Sequence, residues 1–149
     1  MKNIFIILIF FTSSCGFNPI YISQKSENLI FSEIQLVGNQ EINNKVISSL
    51  SIKEDETNLK KNQLILDSFF EVVETSKDSK GKVTSYRSKV MVKLLIKEED
   101  QIKKNKNFIQ DFTYNNRDNK FDLVEYQSEI KDNLINKIIE EVVLFMNLR

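Results

Sequence analysis

Leu123, Tyr126, Ile130, Leu134, Ile138, Val142 and Phe145 step by three and four residues through the C-terminal part of the chain. A stripe of that period lies along one side of an α-helix. At about 1.5 Å per residue such a helix is roughly 40 Å long. Its apolar side needs a cover, either a partner or a sheet of the same chain. Asp122, with Glu125 three residues on, resembles a capping box and marks the expected start. What precedes the stripe supplies a sheet, so core packing is the simpler expectation.

Ile30, Ile34 and Leu36 fall on one side of a strand expected at Leu29–Val37, with Ser32 and Gln35 polar. Gly38-Asn39 ends that strand and caps a short helix whose apolar stripe is Ile42, Val46, Ile47 and Leu50. Ser51–Gln63 is polar and charged, the composition of a loop. Leu64–Glu74 is a second strand with Leu64, Leu66, Phe70 and Val72 on one face, and TSKDSKGK (Thr75–Lys82) has the chemistry of a hairpin turn. Val83–Glu98 is a long third strand, EEDQIKKNKN a charged turn, and Phe108–Tyr114 a fourth strand with Phe108, Phe112 and Tyr114 on one side. The order β-α-β-β-β-α predicts an α+β two-layer sandwich: a mostly antiparallel four-stranded sheet with two helices on one face. Residues 29–149 are expected to form one domain, of a size that buries roughly two thirds of its extended-chain surface without disulfide or metal. The other sheet face must meet water or a partner.

The N-terminus adds a location. Lys2 is followed by an unbroken apolar run, Ile4–Phe11, and then by Thr12, Ser13 and Ser14. That is the layout of a secretory signal peptide over residues 1–14, and the run is far short of the ~20 residues that span a bilayer. Cys15, the only cysteine, follows the small residues directly. The arrangement resembles a bacterial lipobox, in which this cysteine is acylated and becomes the first mature residue, although Thr12 stands where that motif usually has leucine. The other reading is a plain signal peptide with an incidental thiol, and an unpaired thiol in an oxidising compartment is a liability. Several acyl chains hold a protein firmly where one does not, at about 0.8 kcal/mol per buried methylene. Gly16 rather than aspartate after the cysteine favours the outer membrane, periplasmic side. Residues 15–28, with the only proline at Pro19, are a polar tether.

The search for catalytic chemistry excludes more than it finds. The chain has no histidine, so it offers neither a histidine-based triad nor an imidazole metal site. Gly16, Gly38 and Gly81 lie far apart, so there is no glycine-rich phosphate loop. The acids Glu98-Glu99-Asp100 and Glu140-Glu141 sit where charge runs are ordinarily solvated. No enzyme, cofactor or metal is expected. Lysine plus arginine balance aspartate plus glutamate at 21 each, and the removal of Lys2 leaves one acid in excess, which does not describe a nucleic-acid binder. One constellation remains. On the third strand Tyr86, Val90, Val92, Leu94 and Ile96 share one face, and Arg87, Lys89, Met91, Lys93, Leu95 and Lys97 the other. Like charges two residues apart repel unless anions lie beside them. Those anions come either from the neighbouring strand, through Asp67 and Glu71, or from a phosphorylated and partly apolar ligand.

CGFNPIY (Cys15–Tyr21), SYRSKVMVKLLI (Ser85–Ile96), FIQDFTYN (Phe108–Asn115) and EYQSEIKDNLINKIIEEVV (Glu125–Val143) together resemble the LPS-assembly lipoprotein (LptE) family of Gram-negative bacteria. The resemblance runs over most of the mature chain and is weakest at Ser51–Gln63. It implies a lipoprotein that plugs the LptD-type outer-membrane β-barrel, assists its assembly and contacts lipopolysaccharide on its way to the outer leaflet. It also implies a ligand contact at Arg87, through the match to Tyr86-Arg87, and more loosely at Lys106; Lys89 and Lys93 rest on the strand-face argument. The alternative is a structural lipoprotein of another envelope complex, such as the barrel-insertion machinery.

Overall fold

The computed structural model describes residues 29–58 and 61–147; the signal peptide, Cys15 and the tether lie outside them. The elements are β1 (Ile30–Phe31), β2 (Glu33–Gly38), α1 (Gln40–Ser49), β3 (Lys53–Glu54), β4 (Asn62–Lys77), β5 (Val83–Glu98), β6 (Gln101–Asn115) and α2 (Lys120–Asn147). The main sheet has the order β2-β4-β5-β6. β2 runs parallel to β4 because α1 carries the chain across, whereas the hairpins β4–β5 and β5–β6 are antiparallel. The sheet is therefore mixed, and the fold is the expected α+β sandwich.

Both helices cover one sheet face. Leu64 and Leu66 of β4, Val90, Val92 and Leu94 of β5, and Phe108 and Tyr114 of β6 are buried against Ile42 and Val46 of α1 and Ile130, Leu134, Ile135, Ile138 and Val142 of α2. The polar groups drawn into this layer are hydrogen-bonded, except the buried Asn43 side-chain oxygen, which has no partner. The Ser68 hydroxyl donates to the Asn39 carbonyl at 2.9 Å, and the Ser88 and Tyr114 hydroxyls share a bond of 3.0 Å. The Asn43 amide donates to the Val37 carbonyl at 2.8 Å. Asn39 caps α1 through its side-chain oxygen, which accepts from the Ile42 N–H at 3.1 Å. The helices are tied to each other by Lys45–Asp132 (2.9 Å) and by Lys131–Glu41.

The structure corrects four boundaries. The strand expected at Leu29–Val37 is broken at Ser32, whose N–H and hydroxyl both donate to the Asn62 carbonyl, at 2.8 and 2.6 Å. The break moves the chain from one sheet to another and resets its alternation. Phe31 becomes core, while Ile30 and Leu36, expected inside, are exposed. The expected loop Ser51–Gln63 contains β3, which pairs in parallel with β1, and the first residues of β4. The expected charged turn over residues 98–107 shrinks to Glu99-Asp100, because Gln101–Asn107 continue the ladder with β5. The lysines there do not break the strand because each has a partner: Lys103 reaches Glu98 at 3.9 Å, and Lys104 donates to the Phe145 and Met146 carbonyls at 3.1 Å. Lys104 thereby satisfies the orphan carbonyls at the end of α2. Finally, α2 starts earlier than Asp122. The Asn119 side chain accepts from the Phe121 N–H at 3.0 Å and donates to Asp122 at 3.1 Å.

The β5–β6 turn is made by Glu99 (φ 49°) and Asp100 (φ 64°), two left-handed residues where Asn-Gly is preferred. Replacing the pair as Glu99→Asn with Asp100→Gly is expected to stabilise the domain by about 1 kcal/mol, seen as a higher urea midpoint at unchanged slope.

Candidate functional site

The open face of the sheet is built around β5. Its alternation places Arg87, Lys89, Met91, Lys93, Leu95 and Lys97 in one column facing away from the helices, as the period of two requires. Register then sets the neighbours. Lys89 stands between Glu71 and Asp111, Lys93 between Asp67 and Asn107, and Arg87 between Val73 and Thr113. The Lys89 ammonium is 3.7 Å from Glu71. The Arg87 Nε donates to the Thr113 hydroxyl at 3.1 Å and lies 3.7 Å from Asp111. Lys93 and Lys97 have no carboxylate within 4.0 Å among the described residues. Along the column, Arg87 and Lys89 are thus paired with acids, and Lys93 and Lys97 are not. Across it runs an apolar row, Phe69–Met91–Ile109, in which Phe69 and Ile109 are each 48% exposed.

Lys106 does not join this column. It is paired with Leu94 in the ladder and so lies on the helix side. Its ammonium sits 4.9 Å from the Phe108 ring centre and 5.3 Å from that of Phe145, a cation–π contact at the end of α2. Arg87, Lys89 and Lys93 share a surface; Lys106 packs a helix end. Cys15, the expected lipidation site, lies outside the described residues.

A second feature was not legible in the sequence. At the end of the sheet where β6 gives way to α2, Phe112, Thr113, Tyr114, Asn115, Asn116, Arg117 and Tyr126 line a cleft of about 400 Å³. Phe112 and Tyr114 are nearly parallel (10°, 6.5 Å between ring centres), and Tyr126 stands almost perpendicular to Tyr114 (85°, 5.6 Å). The Arg117 guanidinium lies 3.9 Å over Tyr126. Tyr126 belonged to the helix stripe and Phe112 to a strand face, and nothing in either pattern announced that the loop between them would bring an arginine over Tyr126.

Among the described residues no group of three or more acids or cysteines is arranged to hold a metal, and no helix is long and apolar enough to cross a membrane. Asp55, on the exposed turn after β3, has its carboxyl lowered by bonds from the Thr57 hydroxyl and backbone N–H. Its small contribution to that turn is present above the usual carboxylate range and is lost as pH falls through the lowered value.

Fold and face together define a two-layer α+β domain with one sheet side under helices and one bare and charged. The same fold is found in solved lipoprotein structures. Rare lipoprotein B from Shewanella oneidensis is similar over 76% of this chain and 95% of its own, with a TM-score of 0.56 at 14% identity. A minor lipoprotein from Acinetobacter baumannii is similar over 77% and 90%, with a TM-score of 0.56 at 10% identity. Lipoprotein B from Nitrosomonas europaea is similar over 81% and 84%, with a TM-score of 0.57 at 12% identity. At these identities the likeness is one of fold. No family model and no curated protein matches the sequence.

Proposed function

We propose that this chain is a lipoprotein held through Cys15 on the periplasmic side of the outer membrane, where it plugs and helps assemble an LptD-type β-barrel and binds lipopolysaccharide in transit. The role is binding, not catalysis. The lipobox-like Ser13-Ser14-Cys15-Gly16 and the fold shared with lipoprotein structures support the anchor. The observation that carries the ligand is the open β5 column, four cations interleaved with Met91 and Leu95 beside an apolar row. Phosphates suit the cations, acyl chains suit the row, and a largely polar exterior suits a barrel lumen.

In a tagged pull-down from native envelopes, a large outer-membrane barrel of the LPS-transport type is expected to co-purify in near-equal amounts and survive a high-salt wash. Recovery of barrel-insertion components instead would overturn the partner. Arg87→Asp and Lys93→Asp are each expected to lower retained lipopolysaccharide about tenfold, the loss of one charge-assisted contact at ~1.5 kcal/mol. Normal retention by both variants, with circular dichroism unchanged, would sink the ligand face.

A further inference from the structure

The outer edge of the main sheet has a gap. β2 pairs with β4 only as far as Gly38 and Ser68, where the chain leaves for α1, while β4 runs on to Lys77 beside β5. Among the described residues no strand lies on the other side of Phe69–Lys77. The Ser68 carbonyl turns to that side, where it accepts from the Asn39 N–H at 2.9 Å. Alternation therefore points the N–H and C=O groups of Phe70, Val72 and Glu74 into the gap. An open edge of this kind is a template for a further strand, and is ordinarily guarded by lysine, proline or a bulge. Phe69–Glu74 contains neither lysine nor proline, and the bulge comes only after Glu74. Its acids are already engaged, Glu71 by Lys89 at 3.7 Å and Glu74 by Lys77 at 3.0 Å. Phe69, Val72 and Val73 are 48%, 37% and 42% exposed, so apolar side chains flank the gap on both sheet faces.

The chain itself carries a segment that suits this edge. Residues 15–28 lie outside the described residues, and their sequence divides in two: Phe17-Asn18-Pro19-Ile20-Tyr21-Ile22 is largely apolar, Ser23–Asn28 polar. Direction and length agree as well. The described chain enters at the foot of the sheet, where Glu33 stands opposite Gln63, near the start of β4. A segment that comes down to this foot from the gap runs antiparallel to β4, the sense that gives the stronger ladder. Phe69 stands six residues above Gln63, about 20 Å at ~3.3 Å per residue. Ile20 is nine residues before Leu29, a reach of about 30 Å. Pro19, which has no N–H to donate, suits the end of an edge strand.

We infer that Ile20–Ile22 pair with the β4 edge at Phe69–Glu74 as a fifth strand of the main sheet. The docked segment closes the open edge and shortens the leash: five residues, about 17 Å of chain, separate Cys15 from Ile20 on that edge. The sheet end bearing the β4–β5 hairpin is then the end held near the membrane. That consequence rests on the anchor proposed above; the pairing does not.

Hydrogen exchange of the detergent-solubilised full chain tests the pairing. The Phe70, Val72 and Glu74 amides are expected to exchange at least tenfold more slowly than in a variant combining Ile20→Asp with Ile22→Asp. The Leu64 and Leu66 amides, which face β2, are expected to be unchanged and so report that the domain is intact. Equal rates in the two proteins would overturn the docked strand. Protection that appears only at high protein concentration would assign the edge to a second copy, and protection gained only on adding a co-purified barrel would assign it to that partner; either overturns the inference. The comparison of the two chains needs neither barrel nor lipopolysaccharide, so its failure and a failure of the pull-down are distinguishable.

Discussion

Gly38→Ala is expected to cost about 3–5 kcal/mol, enough to consume a large share of the ~5–15 kcal/mol that holds a domain of this size together. Gly38 ends β2 with φ +81°, a conformation that costs an L-residue roughly 1–2 kcal/mol. It also pairs with Ser68 so closely that an added Cβ would lie 2.0 Å from the Ser68 carbonyl oxygen and 3.2 Å from an Asp67 carboxylate oxygen. Ser68 cannot yield cheaply. Its carbonyl accepts from the Asn39 N–H at 2.9 Å, and its hydroxyl donates back to the Asn39 carbonyl. Relieving the clash therefore pulls β2 from β4 and disturbs the cap of α1. Gly81 is the control: it has the same φ of +81° but nothing within 4 Å of an added Cβ, so Gly81→Ala carries the backbone cost alone, about 1–2 kcal/mol. Urea unfolding of the two variants separates the terms, and equal losses would mean that the approach to Ser68 is not what requires glycine.

Phe108→Ala is expected to destabilise by about 3–5 kcal/mol, and Phe112→Ala by under about 1 kcal/mol, although both rings occupy the same face of β6. Phe108 is 1% exposed, meets Phe145 edge-to-face at 5.7 Å, and carries the Lys106 ammonium on its ring. Its removal opens a cavity at the end of α2 and unseats both contacts. Phe112, four residues along the same edge strand, is 47% exposed, so its truncation removes much less buried surface. The same unfolding curves thus test whether α2 or the strand alternation decides burial on β6. Matching losses would show that the sheet end is as closely packed as its middle.

The candidate surfaces differed in how far they could be read ahead. The column Arg87, Lys89, Lys93 and Lys97 was legible because alternation along one strand needs no knowledge of its neighbours. That Glu71 and Asp67 stand beside Lys89 and Lys93 followed from hairpin pairing, which the TSKDSKGK turn announced. Lys106 rested on the loose family resemblance and had no face to be read from the sequence, because residues 98–107 read as a turn, and a turn has no faces. Once Gln101–Asn107 pair with β5, alternation puts Lys106 on the helix side. The aromatic cleft was invisible for a different reason. Phe112, Arg117 and Tyr126 belong to a strand, a loop and a helix, and no periodic pattern spans three elements.

The α+β class, the C-terminal helix carrying the Leu123–Phe145 stripe and the helix-facing residues of β5 were determined by the sequence alone, because periodicity and hydrophobicity are local properties that tertiary packing had only to accept. What only the tertiary structure decided is where the patterns stop being obeyed. Ser32 breaks a strand because Asn62 stands ready to bond it, the lysines of β6 extend a strand because Glu98 and the end of α2 take their charges, and Tyr114 is buried because Tyr126 of α2 stands against it while Phe112, on the same face, stays half exposed. Each outcome depends on a partner distant in sequence, and such partners exist only once the sheet has formed.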